Sequence, residues 1–397
     1  MQLIQVTDKK TAKQFRDVAR AIYRNDENFI CPPDSILESI FDPAKNPFWT
    51  HGEAIRWVLI NDNKELIGRV AAFINTNKAF TFQQPTGGMG FFECVEDKTA
   101  AFLLFDRCRE WLMAKGMQAM DGPINFGEND VFWGLLVEGF MQQSYGMNYN
   151  PPYYKTYFED YGFQSYFEQV TNHLDLRKPF PERFMKVAEW IRRKPEYVYV
   201  HFRKADADKF IMDLKEVYDS AWQFHENFTP IEPAFLKKSL EEASPFLVEE
   251  FIWFVYHEDK PAAFLVMMPD LNQMLKPLNG SLNWWGKAKL YYYLKTKKFS
   301  RARISIMGIS PSYQRMGLDA GIFLNMSEVF KGMPWYIELE LSWVGDFNLK
   351  MRALHEAVGG YFAKRHITYR KIFSEIPIEQ RSAFIPVDTK DQFLKGN

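Results

Sequence analysis

The order in which apolar patterns follow one another is the tightest constraint on the fold, because it occurs twice. In the first half, a short strand at Leu3–Val6 leads into a helix from about Lys10 to Arg24. Asp8 stands at its start, and Phe15, Val18, Ala19 and Ile22 fall on one face. Cys31-Pro-Pro-Asp and Asp42-Pro then break the pattern. Ala54–Ile60 and Leu66–Ile74 form a hairpin, and a strand at Gly87–Val95 follows. A helix starts at Asp97 or Thr99 and ends at Gly116, a strand occupies Gln118–Gly122, and Asn150-Pro-Pro opens a helix over Tyr153–Tyr161. The second half runs through strand Glu196–Arg203, helices Ala205–Phe224 and Pro233–Ala243, and hairpin Glu250–Tyr256 with Pro261–Met268. Strand Arg303–Gly308, helix Leu318–Phe330, strand Tyr336–Leu341, helix Leu349–Val358 and strand Arg365–Lys371 complete it. Both halves are read as following β-α-α-β-β-β-α-β-α-β, an order spelled out in full by the second half, and a repeated order of this length indicates a duplicated domain. The joint expected is the proline- and charge-rich Arg177-Lys-Pro-Phe-Pro. The expectation is an α/β (α+β) protein with two domains, 1–178 and 179–397, each a mixed, mostly antiparallel sheet flanked by helices.

A chain of 397 residues is too long for one ordinary core, which agrees with two domains. The net charge of −1 provides no global field for nucleic acid, so none is expected as a partner. Cys31, Cys94 and Cys108 are too few and too scattered for a disulfide framework or a zinc site. No metal is expected, and a reducing cytoplasm is the expected setting. The first residues lack the basic-then-apolar pattern of a signal peptide, and no apolar run reaches membrane-spanning length. Contact with the surface of the inner membrane stays open. The reason is an insertion near 270–302, where Trp284 to Arg303 interleave aromatics with Lys and Arg. It reads either as a helix on the domain with a solvated basic face or as a surface for anionic lipid or an acyl chain.

Chemistry concentrates at Ile304-Ser-Ile-Met-Gly-Ile-Ser-Pro-Ser-Tyr-Gln-Arg-Met-Gly317, where a strand turns tightly into a helix. Backbone N–H groups and the helix dipole at such a turn suit a pyrophosphate. Gly317 permits close backbone approach, and Arg315 can add charge-assisted contacts. Asp319 runs against this, because a carboxylate beside a diphosphate is unfavourable unless it points away. In the first half the equivalent junction, Phe92-Glu-Cys-Val-Glu-Asp97, carries Glu93, Glu96 and Asp97, and no such site is expected there. No Gly-x-Ser-x-Gly elbow, Walker loop or Cys-x-x-Cys pair occurs. His51, His173, His201, His225 and His257 are scattered, and His355 and His366 read as structural or surface residues.

The element order and this junction resemble the GNAT (GCN5-related N-acetyltransferase) superfamily. Its pattern here is Gln/Arg-x-x-Gly-x-Gly/Ala, against Gln314-Arg-Met-Gly317-Leu-Asp319-Ala320 in this chain. Asp121 to Phe140, Tyr149-Asn-Pro-Pro-Tyr-Tyr154 and Glu340-Leu-Ser-Trp343 look like tandem two-domain bacterial GNAT-like proteins, a group similar to bacterial N-acyltransferases of ceramide synthesis. The resemblance implies acetyl-CoA or a longer acyl-CoA as cosubstrate, held by Ile309, Gln314, Arg315, Met316, Gly317 and Leu318. It implies that Asn348 contacts the pantetheine or substrate side, and that Tyr361 or Tyr369 protonates the departing thiolate. The acceptor would be a small-molecule or lipid-like amine.

Acylation needs a neutral amine, so a base is expected. Strand alternation puts Glu340 and Ser342 on one face and Leu341 and Trp343 on the other, which makes Glu340 the leading base. Asp346 reads as a helix cap. Asn125, Glu128, Asn129 and Asp130, with Trp343, are expected to face substrate. Two other readings stay open: a GNAT scaffold that binds a ligand or partner without catalysis, and a membrane-surface acyltransferase of lipid synthesis. Oligomeric state is open as well.

Overall fold

The computed structural model describes residues 1–82, 84–129, 131–223, 228, 230–374 and 382. Its strands are β1 (Gln2–Gln5), β2 (Gly52–Ile60), β3 (Leu66–Asn75), β4 (Thr86–Cys94), β5 (Ala119–Gly122), β6 (Leu135–Glu138), β7 (Gln164–Asp175), β8 (Tyr197–His201), β9 (Ile252–His257), β10 (Lys260–Pro269), β11 (Arg301–Ile309), β12 (Glu338–Gly345) and β13 (Tyr361–Ile372). The helices are α1 (Lys9–Ile22), α2 (Asp34–Ile40), α3 (Thr76–Ala79), α4 (Lys98–Ala114), α5 (Tyr154–Tyr161), α6 (Glu182–Arg192), α7 (Ala207–Trp222), α8 (Pro233–Ala243), α9 (Asn272–Leu275), α10 (Trp284–Lys295), α11 (Leu318–Lys331) and α12 (Leu349–Ala357).

Local chemistry sets the helix starts. Asp8 accepts the Thr11 N–H at 2.7 Å while Thr11 Oγ1 receives the Asp8 N–H, a reciprocal capping box at the head of α1. Asp97 accepts the N–H groups of Thr99 and Ala100 at the head of α4. The apolar stripes behind these caps are buried: Phe15 and Val18 on α1, Leu104, Phe105, Cys108 and Leu112 on α4.

The chain forms two compact units, and these do not follow chain order. Unit 1 comprises Met1–Val170, Leu271–Thr296 and Lys364–Ser382; unit 2 comprises Thr171–Asp270 and Lys297–Ala363 among the described residues. The expected linear division at 178/179 put 271–296 and the last strand in the second domain, whereas contacts join them to unit 1. Asn272 donates to Gln143 O at 3.0 Å, Arg20 to Asn279 O at 3.3 Å, and the Asp34 N–H to Gly280 O at 3.0 Å. On β13, Arg370 makes a bidentate pair with buried Asp121 of β5 at 2.6 and 2.7 Å.

Unit 1 has strand order β1-β2-β3-β4-β5-β13, with β6 also on β13. Its core is aromatic, with Phe92 stacked on Phe105 and edge-on to Tyr154 and Phe158. Unit 2 has strand order β12-β11-β10-β9-β8, with the 171–175 portion of β7 beside β12. Its core gathers Leu339, Leu341, Ile322, Phe323, Ala188 and Ile191.

Elements not expected from sequence include β6, β7 and α6. Strand β7 buries Gln169, Thr171 and His173 at alternate positions, so it lacks the apolar period that marks a half-buried strand. Helix α6 begins behind Pro181 within the stretch read as a joint, and it buries Phe184, Ala188 and Ile191.

A close approach in unit 1 exposes the fold to one substitution. A β-carbon on Gly90 would lie 1.8 Å from the Ile124 carbonyl oxygen, while at Gly332 the nearest atom would be 3.4 Å away. Gly90→Ala is expected to lower unfolding stability by more than about 2 kcal/mol, because backbone must move to make room. Gly332→Ala should change it little, and urea titration of both variants checks the contrast.

Candidate functional site

Strands β11 and β12 are parallel, joined through α11, and their register is short. Arg301 pairs with Glu338, Ala302 with Leu339 and Arg303 with Glu340, and pairing ends there. Strand β11 nevertheless continues to Ile309 and β12 to Gly345. The two strands diverge beyond Arg303 and Glu340 and leave a wedge with those residues at its apex.

The apex is a buried ion-pair ladder. Glu340 is fully buried. Its Oε1 lies 3.1 Å from Arg303 Nε and its Oε2 3.1 Å from His173 Nε2. The other ring nitrogen of His173 lies 2.9 Å from Glu338 Oε1. Glu338 Oε2 accepts from Arg301 Nε at 2.6 Å, and Arg301 also reaches Asp270 at 3.4 Å. The Tyr361 hydroxyl donates to Glu338 Oε1 at 3.1 Å and is half exposed. Burial alone would raise the Glu338 carboxyl, but the hydrogen bond and charge of His173, with Arg301, outweigh it and hold it down to about 2. A neutral imidazole donates through one nitrogen only. His173 faces a carboxylate on each side, Glu338 at one ring nitrogen and Glu340 at the other.

The wedge leads along β11 into the loop and α11. Arg315 and Gly317 both have left-handed backbones, φ 65° and 82°. They flank Met316, and such alternation turns successive N–H groups to one side. Gly317 caps α11 with no side-chain hydrogen bond, unlike Asp97 on α4. Lys350, in the first turn of α12, donates to Gln314 Oε1 at 2.9 Å, and the Gln314 amide reaches Ile309 O at 3.4 Å. Asn348, not Asp346, is the side-chain cap of α12, accepting the Met351 N–H at 3.2 Å.

An anionic group fits this loop in two respects: the helix start has no side-chain cap, and exposed Arg315 and partly buried Lys350 supply positive charge. Asp319 opposes it, since its carboxylate accepts the Ala320 N–H at 2.9 Å. Burial raises the Asp319 carboxyl against the pull of that amide and its own. Gly317 has a packing role too, because a β-carbon there would lie 2.8 Å from Val187 of α6.

The junction of unit 1 is built differently. Strands β4 and β5 also pair over three residues only, Thr86↔Ala119 to Gly88↔Asp121. There the chain itself fills the divergence: the Ile124 N–H donates to Met89 O at 2.9 Å, and the Ile124 carbonyl lies against Gly90. Asp97 occupies the helix amides. Glu93 is buried against Arg69 at 3.3 Å and accepts from Tyr23 and Tyr154.

Unit 2 thus gathers Ile309, Gln314, Arg315, Met316, Gly317, Leu318, Asn348, Glu340, Ser342, Trp343 and Tyr361. Ser342 and Trp343 are half-buried on β12. Tyr369 belongs to unit 1, where its hydroxyl donates to Glu159 at 3.1 Å and its ring meets Phe158. Asn125, Glu128 and Asn129 also belong to unit 1. Asn125 is buried with no hydrogen-bond partner for its Oδ1, Glu128 pairs with Lys78 at 3.2 Å, and Asn129 is exposed. Asp130 and His225 lie outside the described residues. Sequence reasoning missed His173, Arg303 and Lys350. The i, i+2 charges Arg301/Arg303 and Glu338/Glu340, which the structure places on paired parallel strands, were the legible signal; nothing local marks His173.

No family model matches the chain. Among solved structures, a tandem GNAT protein from the clavulanic acid biosynthesis pathway superposes with TM-score 0.56 at 11% identity, covering 95% of this chain and all of that one. The fold is a tandem GNAT fold. A GCN5-related N-acetyltransferase from Sphaerobacter thermophilus superposes with TM-score 0.50 at 10% identity, over 96% of this chain and 98% of that one. In sequence, this chain is 27% identical over 375 residues to Protein YghO of Escherichia coli (strain K12), covering 92% of this chain and 93% of that protein. It is 27% identical over 383 residues to a bacterial ceramide synthase of Caulobacter vibrioides (strain NA1000 / CB15N), covering 94% and 97%.

His355, on α12 of unit 2, gives a pH signature. Burial lowers its pKa from 6.5 to about 4. The unfolded chain then takes up a proton below pH 6.5 that the folded chain refuses, so stability falls as pH drops from 6.5 toward 4. The loss is on the order of 3 kcal/mol. Urea midpoints at pH 7.5 and pH 4.5 should differ less for His355→Leu than for the parent chain, and an equal difference would assign the acid sensitivity elsewhere.

Proposed function

We propose that unit 2 transfers an acyl group from an acyl-CoA to an amine. The observation that carries this reading is the wedge: parallel pairing stops at a buried Glu340 of β12, and its partner strand β11 leads into a helix start with no side-chain cap. Unpaired strand edges offer N–H and C=O groups to an extended amide-bearing chain such as pantetheine. The amides of Gln314–Leu318, with Arg315 and Lys350, would hold the diphosphate, and Ile309 and Asn348 would border the pantetheine side.

In the reaction the amine nitrogen attacks the thioester carbonyl. A C–N bond forms, the C–S bond breaks, one proton leaves nitrogen and one arrives on sulfur. Glu340 takes up the nitrogen proton when substrate or water enters the wedge, with Ser342 on the same strand face. Tyr361 supplies the sulfur proton. Through Glu338 and His173 the two ends belong to one hydrogen-bonded series, so the proton lost at one end is restored at the other without net charging of a buried site. Tyr361 is preferred to Tyr369, which is engaged by Glu159 in unit 1. The similarity to a ceramide synthase favours a long acyl chain and a lipid-like amine over acetyl transfer to a soluble amine. It also favours a cytoplasmic site next to the inner membrane.

Glu340→Gln is expected to lower kcat by at least about 100-fold while acyl-CoA affinity stays within a few-fold. Exposed Arg315→Glu should weaken acyl-CoA binding by about tenfold or more without changing the thermal midpoint. Equal affinity in parent and Arg315→Glu proteins would remove the cofactor assignment. Asp319 favours a second reading, a GNAT scaffold that binds a small ligand or partner without transfer. Calorimetry of the parent chain with acetyl-CoA and with long-chain acyl-CoA separates the two, because heat from neither leaves only the scaffold.

A further inference from the structure

Helix α10 lies outside the site just described, in unit 1, and its exposed face is unusual. Asn283 caps it by accepting the Gly286 N–H at 2.9 Å. Its inward side is set by Leu290, packed on a small cluster of Ile30, Leu275 and Leu278. With 3.6 residues per turn, Trp284, Ala288 and Tyr291 align at i, i+4, i+7, and Trp285 and Tyr292 lie one step round the same face. That face is open. Trp284 is 65% exposed, Trp285 61%, Tyr291 62% and Tyr292 53%. The Trp284 and Trp285 rings stack on each other at 3.8 Å. Lys287 and Lys289 fall on opposite edges of the stripe, with Lys295 at its end, and all three are exposed.

A solvated basic face over the domain would turn the aromatics inward and the lysines outward. The observed helix does the reverse, carrying aromatics outward and lysines at the rim. Indole and phenol rings favour the boundary between headgroups and acyl chains, and flanking lysines reach back to anionic headgroups. The charges along this stretch of chain are of one sign, because no Asp or Glu occurs between Asp270 and Asp319. Among the described residues no helix is long and apolar enough to cross a membrane. An element lying in the interface plane needs no such length.

We propose that α10 docks the protein on an anionic bilayer surface, with Trp284, Trp285, Tyr291 and Tyr292 inserted at headgroup level and Lys287, Lys289 and Lys295 facing the lipid charges. The inference stands apart from the acyl-CoA site and survives its failure.

The test is flotation of the full chain with phosphatidylcholine vesicles, with and without phosphatidylglycerol. The parent should partition onto the anionic vesicles at low salt and much less onto neutral ones, and binding should weaken as salt rises. Replacing Lys287, Lys289 and Lys295 together by Gln is expected to lower the partition coefficient on the order of 100-fold, from about 1 kcal/mol per lysine. Trp284→Ser with Trp285→Ser should lower it even at low salt and suppress quenching by brominated lipid. Circular dichroism of each variant, unchanged from the parent, keeps a loss of binding from being read as a loss of fold. Parent protein that stays with the soluble fraction at low salt overturns the proposal. So does vesicle binding that both sets of substitutions leave intact, or self-association that the tryptophan substitutions abolish in a chain that binds no vesicle.

Discussion

Parallel pairing between β11 and β12 lasts for three residues, and the chemistry proposed for unit 2 depends on its ending there. A longer register would satisfy the backbone of 304–309 and 341–345 within the sheet and leave nothing to receive a ligand. The ladder Arg303–Glu340–His173–Glu338–Arg301 sits where the register stops. Buried charges are tolerated only when paired, and removing one partner of such a pair is strongly destabilising. The ladder therefore fixes the apex, and in the proposed reaction the same groups would carry the proton. Structure and proposed chemistry rest on the same side chains.

The two junctions show how one element order supports opposite outcomes. In unit 1, Asp97 takes the first amides of α4, Ile124 closes onto Gly90, and Glu93 turns inward to Arg69, Tyr23 and Tyr154. Each contact removes a feature an anionic ligand would need. In unit 2 the cap is Gly317, and the side-chain carboxylate has moved two positions into the helix, to Asp319. From there it holds the Ala320 amide but leaves the cap itself bare. Asp319 is thus less a foreign charge in a phosphate loop than a partial version of the device that closes the other one.

Much of this was legible from the residues alone, and the reasons are local. Helices α1 and α4 declare themselves through Asp8, Asp97 and apolar stripes, and the hairpins through alternation and turn residues. The loop at 314–317 is legible because Gly317 must adopt a positive φ before a helix that begins at Leu318. Strand β7 is not legible, because its buried face carries Gln169, Thr171 and His173, whose partners are far away in the chain. His173 lies 167 residues from Glu340, and no periodic signal spans that distance. The strand order β5-β13 is hidden for the same reason: Asp121 and Arg370 are 249 residues apart, and each alone reads as an ordinary surface charge.

Burial of polar groups is thus where sequence patterning stops and the site begins. A base that is fully buried and held by Arg303 and His173 is a poor acceptor from bulk water. It becomes useful only if proton uptake at Glu340 is matched by release elsewhere in the same network. Tyr361 meets that condition from the half-exposed end, because its hydroxyl bonds to the carboxylate that His173 links to Glu340. In the proposed reaction the wedge would receive the thioester, and the ladder would move one proton without leaving a charge stranded. Neither property is visible in Glu340 alone, which by itself reads as a half-exposed strand glutamate.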